Sequence, residues 1–184
     1  MKNMILTLLV LFSFRAFGQE RAISPINITV GYYGETVTHP GLIVGIEYSP
    51  FITDKYQMIL AFQTGGYTHK RNNTSYFVRG QWGQRITFNS GLFVEQFLGL
   101  GYLHQFSHGG EQYEVIPNGA VVKTLDRGQP KFMPSITLGT GYDFSKKGIG
   151  NFSIYLRPEL FWKAPFNGYY LTHPALSTGI ISKF

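Results

Sequence analysis

From Phe132 to Ser145 the chain changes character at every residue. Phe132, Pro134, Ile136, Leu138, Thr140, Tyr142 and Phe144 form one row, and Met133, Ser135, Thr137, Gly139, Gly141, Asp143 and Ser145 form the other. A repeat of two belongs to an extended strand, whose side chains leave opposite faces in turn. The pattern returns from Phe152 to Phe166, with Phe152, Ile154, Leu156, Leu160 and Trp162 on one side and Ser153, Tyr155, Arg157, Glu159 and Lys163 on the other. Clusters of Gly, Asn, Pro and Asp bound further strands at 26–35, 42–50, 56–69, 75–88, 91–106 and 175–184, with no helical period between them. The expectation is an all-β chain of about eight strands, long enough to cross a bilayer at a tilt, which takes about 9–11 residues.

Alternation alone does not say which face is outside, because a secreted barrel that holds a ligand has the same period with its apolar side inward. Charge decides. Charged residues make up 14% of the chain, against about 25% in a soluble domain. Glu47, Arg79, Arg85, Glu95, Arg157, Glu159 and Lys163 all fall on the less apolar face of their strands. Both signs are present, so these side chains can neutralise one another inside a narrow barrel, where unpaired charge is costly. The reading is a closed antiparallel up-and-down transmembrane β-barrel, apolar outside and ion-paired inside.

Aromatic residues sort to the strand ends. Tyr48, Tyr56, Phe88, Phe144, Phe152 and Phe184 mark one end, and Tyr32, Tyr76, Tyr102, Phe106, Phe132 and Trp162 the other, as interfacial anchoring requires. Short connections at 49–55, 89–90 and 145–151 alternate with longer ones at 35–41, 70–74, 107–131 and 166–174. Short periplasmic turns and longer external loops are usual in such barrels, which places both mature termini in the periplasm. Pro158 interrupts an otherwise regular strand, and a bulge is expected there because a closed sheet has no edge to absorb a missing N–H.

This architecture, together with the closing stretch Leu176-Ser-Thr-Gly-Ile-Ile-Ser-Lys-Phe184, resembles the small outer-membrane barrels of the OmpA/OmpX type across essentially the whole mature chain. The resemblance implies that the terminal Phe184 and its strand serve as the signal read by the barrel-assembly machinery. Thr178 and Ser182, on the presumed lipid face, depart from the usual apolar pattern.

The N-terminus reads as an address. Lys2 precedes an apolar run from Met4 to Phe14, and Ala16-Phe17-Gly18 supplies a small-residue cleavage site. Residues 1–18 are therefore expected to be a signal peptide and 19–184 one barrel domain in the bacterial outer membrane. Loss of Lys2 and Arg15 lowers the formal charge from +6 to +4, a mild excess compatible with anionic lipopolysaccharide but no footprint for nucleic acid. Cys is 0, which excludes disulfides, thiolate zinc sites and a lipid-modified cysteine. No cofactor motif is present.

Four features bear on function. Thr38-His39-Pro40 recurs as Thr172-His173-Pro174, on two external loops expected to be neighbours where the last strand meets the first. His39 and His173 are weak metal candidates, lacking tight ligand spacing and a supporting carboxylate. His104-Gln-Phe-Ser107-His108 resembles the site of outer-membrane lipid A deacylases, but a spacing of three places His104 and Ser107 on opposite faces of a strand. Gln112–Ile116 and Ala120–Leu125 flank Pro117-Asn118-Gly119, a turn signal, so the 108–131 loop is expected to stand above the membrane as a hairpin and offer a protein partner an edge. A narrow transport path is a further reading, although side chains about fill an eight-stranded interior. The reading preferred is a non-enzymatic envelope barrel that displays loops to lipopolysaccharide, a protein partner or a host surface.

Overall fold

The structure is a computed structural model that describes residues 25–70, 72–107, 111–116, 119–125, 127–166 and 169–183. The expected signal peptide, His108 and Phe184 lie outside the described residues. The strands are β1 (Ile26–Glu35), β2 (His39–Ile52), β3 (Tyr56–His69), β4 (Asn73–Thr87), β5 (Leu92–Ser107), β6 (Glu111–Val115), β7 (Val121–Leu125), β8 (Gln129–Phe132), β9 (Ser135–Asp143), β10 (Phe152–Phe166) and β11 (Tyr169–Lys183). Tyr32 on β1 lies opposite Leu42 on β2 and Thr178 on β11, so the antiparallel sheet closes on itself.

β8 and β9 both lie between β5 and β10 and together make one wall strand. Their break falls at Met133-Pro134, where the ring removes a donor. The Met133 N–H still donates to the Gly101 carbonyl (2.8 Å), and the Trp162 N–H to the Pro134 carbonyl (3.0 Å). The wall thus has eight strands, and β6 and β7 form a separate hairpin sheet inserted between β5 and β8.

Proline shapes the wall differently from the expectation. The β10–β11 register runs unbroken through Pro158 opposite Leu176, with no bulge. The β9–β10 ladder instead lapses at Arg157 and Pro158 and resumes in the same register at Glu159, so the missing donor is absorbed as a local gap on that side. Register shifts occur between Tyr48 and Phe51 and between Lys163 and Phe166. Each contains a proline, Pro50 or Pro165, near a strand end where the pairing is free to slip by one residue.

At one end the connections are short: 53–55, 88–91, and a 3-10 turn at Phe144–Lys147 leading on to Asn151. At the other end the strands run on, so that paired hairpins project. The β1–β2 turn needs only Thr36–Thr38. The second Thr-His-Pro segment accordingly lies within β11, not at a strand start, while His39 opens β2.

The wall is apolar outside and polar inside. Leu42, Phe62, Leu100 and Leu138 are 71%, 62%, 62% and 59% exposed, while Glu47, Arg79, Arg85, Glu95, Arg157, Glu159 and Lys163 are at most 5% exposed. Among the described residues, no outward-facing wall position carries Asp, Glu, Lys or Arg. Leaving one large apolar side chain in water instead of burying it costs about 1.5–3 kcal/mol; repeated around the barrel, that cost requires an apolar solvent outside. No described helix is long and apolar enough to cross a membrane, a statement that says nothing of strands.

Candidate functional site: the lumen and its long-hairpin mouth

Inward alternation brings Glu47 on β2, Arg85 on β4, Glu95 on β5 and Arg157 on β10 to one level of the lumen. Arg157 donates from Nε to Glu95 Oε1 (2.6 Å) and from Nη2 to Glu47 Oε1 (2.6 Å). Arg85 donates from Nε to Glu95 Oε2 (2.8 Å) and from Nη2 to Glu47 Oε2 (2.9 Å). Each carboxylate therefore meets both guanidinium groups, and charge alternates around a closed ring. Planar guanidinium suits this better than ammonium, since one face is left for stacking. Arg85 lies over Phe93 at 4.7 Å, and Arg157 over Tyr155 at 4.2 Å and Phe97 at 4.9 Å.

One step toward the long-hairpin end, Arg79 pairs with Glu159 and donates to Gln63 (2.9 Å). Glu159 also accepts from the Thr137 (3.1 Å) and Tyr33 (3.2 Å) hydroxyls. Beyond these polar groups, Tyr33, Ile43, Tyr67, Phe77, Leu103, Met133, Phe161 and Ala175 pack as one buried apolar cluster. The described lumen is thus filled by a charged waist and an aromatic layer. This geometry suits a strut better than a conduit.

The mouth holds a group that sequence reasoning missed. Glu35, at the end of β1, accepts from Lys163 Nζ (2.9 Å) and lies 2.8 Å from Nδ1 of both His39 and His173. His173 stacks on Phe161, centroids 5.2 Å apart, and the His39 and His69 rings are 3.9 Å apart. An open cleft of about 360 Å³ lies beside them, lined by Thr38, His39, Pro40, Thr68, His69 and Lys70. The absence of a carboxylate near His39 and His173, expected from sequence, is corrected by Glu35. Its parity with Asn27, Thr29 and Tyr33 was the available signal. Both Nδ1 atoms are turned on this carboxylate, and among the described residues no three His, Cys, Asp or Glu side chains group as a metal site.

Among the described residues, His104 makes two close polar contacts. His104 Nε2 is 3.0 Å from the Arg127 carbonyl and Nδ1 is 2.6 Å from the Tyr102 hydroxyl. A carbonyl only accepts, so Nε2 donates to that of Arg127. Ser107 lies on the opposite parity of β5. The close contacts of His104 thus run to Tyr102 and Arg127.

No protein-family profile and no curated protein sequence matches the chain. Solved structures do. Neisserial surface protein A superposes with a TM-score of 0.60 at 11% identity, over 89% of this chain and 100% of that one. The attachment invasion locus protein Ail of Yersinia pestis superposes with a TM-score of 0.52 at 13% identity, over 90% of this chain and 100% of that one. With a ring of antiparallel strands closed between β1 and β11 and these two likenesses, the chain has the fold of the small eight-stranded outer-membrane barrels, the OmpA/OmpX type of architecture.

Proposed function

We propose that the chain is an integral, non-enzymatic protein of the bacterial outer membrane, in which an ion-paired barrel holds an external hairpin clear of the membrane for contact with the cell's surroundings. The supporting observation is the β6–β7 hairpin. It is a sheet of its own, paired from Glu111 opposite Leu125 to Val115 opposite Val121, and detached from the barrel ladder. Tyr113 and Val121 are both 63% exposed, an aromatic and a β-branched side chain held on a short strand pair with open edges. Such edges are suited to pairing with a partner chain. The signal peptide delivers the chain, the terminal strand with Phe184 is read by the assembly machinery, and lipopolysaccharide surrounds the long-hairpin end. Two solved barrels of like fold are named as a surface protein and an attachment invasion locus protein, roles of the same kind.

Deleting residues 110–128 tests the proposal. The barrel is expected to insert normally, as judged by its heat-sensitive migration on gels, while cells lose binding to the surface or protein partner. Binding retained by a folded deletion variant overturns the assignment to this hairpin. Porin-sized conductance steps in planar bilayers would overturn the strut reading of the lumen.

A further inference from the structure

The outward face of β4 and β5 carries two side chains that hydrocarbon cannot satisfy. Gln84 and Gln96 lie directly opposite each other across the strand pair, and both point away from the lumen. Gln84 sits between Trp82 and Ile86 along its strand face, and Gln96 between Val94 and Leu98, all four large, apolar and at least 40% exposed. The amides are therefore set within the apolar band, not at its rim.

Three threonines elsewhere on the outer wall are handled differently. Thr64 donates to the Phe77 carbonyl (3.0 Å), Thr140 to the Phe93 carbonyl (3.0 Å) and Thr178 to the Tyr155 carbonyl (2.9 Å). Each hydroxyl is satisfied by the backbone of the neighbouring strand. Neither glutamine carboxamide hydrogen-bonds another described residue.

A second, independent feature lies on the same face. Every other described strand glycine has an atom close to where a Cβ would stand; at Gly80 nothing lies within 4 Å. Gly80 is outward, opposite Phe62 on β3 and Leu100 on β5, both 62% exposed. A glycine inside a strand with no packing reason of its own marks a place where another backbone or ligand comes close. Small residues that permit close approach, joined by polar side chains that bond across the contact, are the means by which proteins associate within a bilayer.

We infer that this face is a lateral interface in the membrane and that its occupant is a second copy of the chain. A carboxamide is both donor and acceptor, so it complements itself. Two copies inserted the same way are related by a two-fold axis along the membrane normal, which brings the same patch together at the same depth. Gln84 of one copy then meets Gln96 of the other, and the reverse, while the large side chains flanking Gly80 enter the partner's notch. A different membrane protein would have to bring its own amides to this depth. The inference rests on the membrane placement proposed above, and goes beyond it.

The test uses the full mature chain inserted into dilauroyl phosphatidylcholine vesicles at low protein-to-lipid ratio. The chain has no native cysteine, so Leu100→Cys reports this face and Val30→Cys, on β1, reports a remote one, each with a short bismaleimide. Leu100→Cys is expected to give a cross-linked dimer and Val30→Cys to give none above random encounter. Adding Gln84→Leu with Gln96→Leu should weaken dimerisation about tenfold, and Gly80→Phe, which fills open space without disturbing the barrel, should weaken it as well. Heat-sensitive gel migration reports folding of each variant. Equal cross-linking at both positions, cross-linking unmoved by the substitutions, or an inserted chain that stays monomeric overturns the inference; the last is the result if the two amides satisfy each other within one barrel or await a different protein. Failure to insert at all overturns the membrane placement and this interface with it.

Discussion

At the waist, Glu47, Arg85, Glu95 and Arg157 close a ring of alternating charge, whereas farther along the same lumen Tyr33, Tyr67, Phe77 and Phe161 pack on Ile43, Leu103 and Met133. Both arrangements fill a tube of fixed width, and both exclude water. They differ in what holds them. The aromatic layer depends on volume, which is additive and has no direction, so swaps that conserve volume are tolerated. The ring depends on pairing: each member is neutralised only while its two neighbours are present, and the loss of one leaves an unbalanced charge shut away from water. Shape is specified by the outer layer, and relative strand position by the waist.

The sharpest way to break this contrast is to remove one member of the ring. Arg157→Met, close in length but without charge, is expected to destabilise the inserted barrel by about 3–5 kcal/mol, because Glu47 and Glu95 both lose a guanidinium partner. The urea midpoint in vesicles, followed by gel migration, measures it. A loss below ~1 kcal/mol would mean that water reaches the ring and screens it. Next in size is the mouth, where Glu35→Gln leaves Lys163, 5% exposed, without its carboxylate; the expected loss is about 2 kcal/mol. In the aromatic layer, Leu103→Met, which conserves volume, should cost less than about 1.5 kcal/mol. If Leu103→Met equals or exceeds Arg157→Met, the two layers are not different in kind.

The alternation that runs through Phe132–Ser145 carries most of the fold, because a closed wall with unlike surroundings on its two faces imposes period two at every strand. Strand count, antiparallel order and the apolar outside all follow from it. The partnerships inside the lumen do not. Arg85 and Glu95 are register partners, so that contact lies within reach of pattern reasoning. Glu47 instead pairs along the wall with Asn27 and Ala61, and Arg157 with Ser177; their meeting depends on the stagger of strands around the ring, which no local pattern records. Glu35 was overlooked in part for a similar reason: His39 is its register partner across the β1–β2 hairpin, but Lys163 and His173 reach it from β10 and β11. The expected bulge at Pro158 failed because proline demands only that one donor be absent, and a gap in one ladder meets that demand as well as an inserted residue. The Thr-His-Pro echo, a matched pair in sequence, falls at unlike points along its strands, one opening β2 and the other inside β11, yet both histidines reach Glu35.

The smallest expected effect concerns the turn that caps the mouth. Thr36 and Val37 have φ of 48° and 64°, a left-handed conformation that β-branched residues rarely adopt. The turn is nevertheless pinned: the Thr36 N–H donates to the Pro174 carbonyl (2.8 Å) and the Tyr32 hydroxyl to the Val37 carbonyl (2.7 Å). Holding one such residue left-handed costs about 1–2 kcal/mol, and Val37→Gly removes that cost. The same change gives the unfolded chain more freedom, which offsets about 0.4–1 kcal/mol of the gain. The net expectation is a stabilisation of about 0.5–1 kcal/mol, the difference between those two effects, read as a small rise in the urea midpoint. The sign matters more than the size. Stabilisation means that strain is stored at the mouth, beside Glu35 and His39. Destabilisation would mean that Val37, 57% exposed, supports the turn through its side chain, and that the mouth, like the waist, is held by its contacts alone.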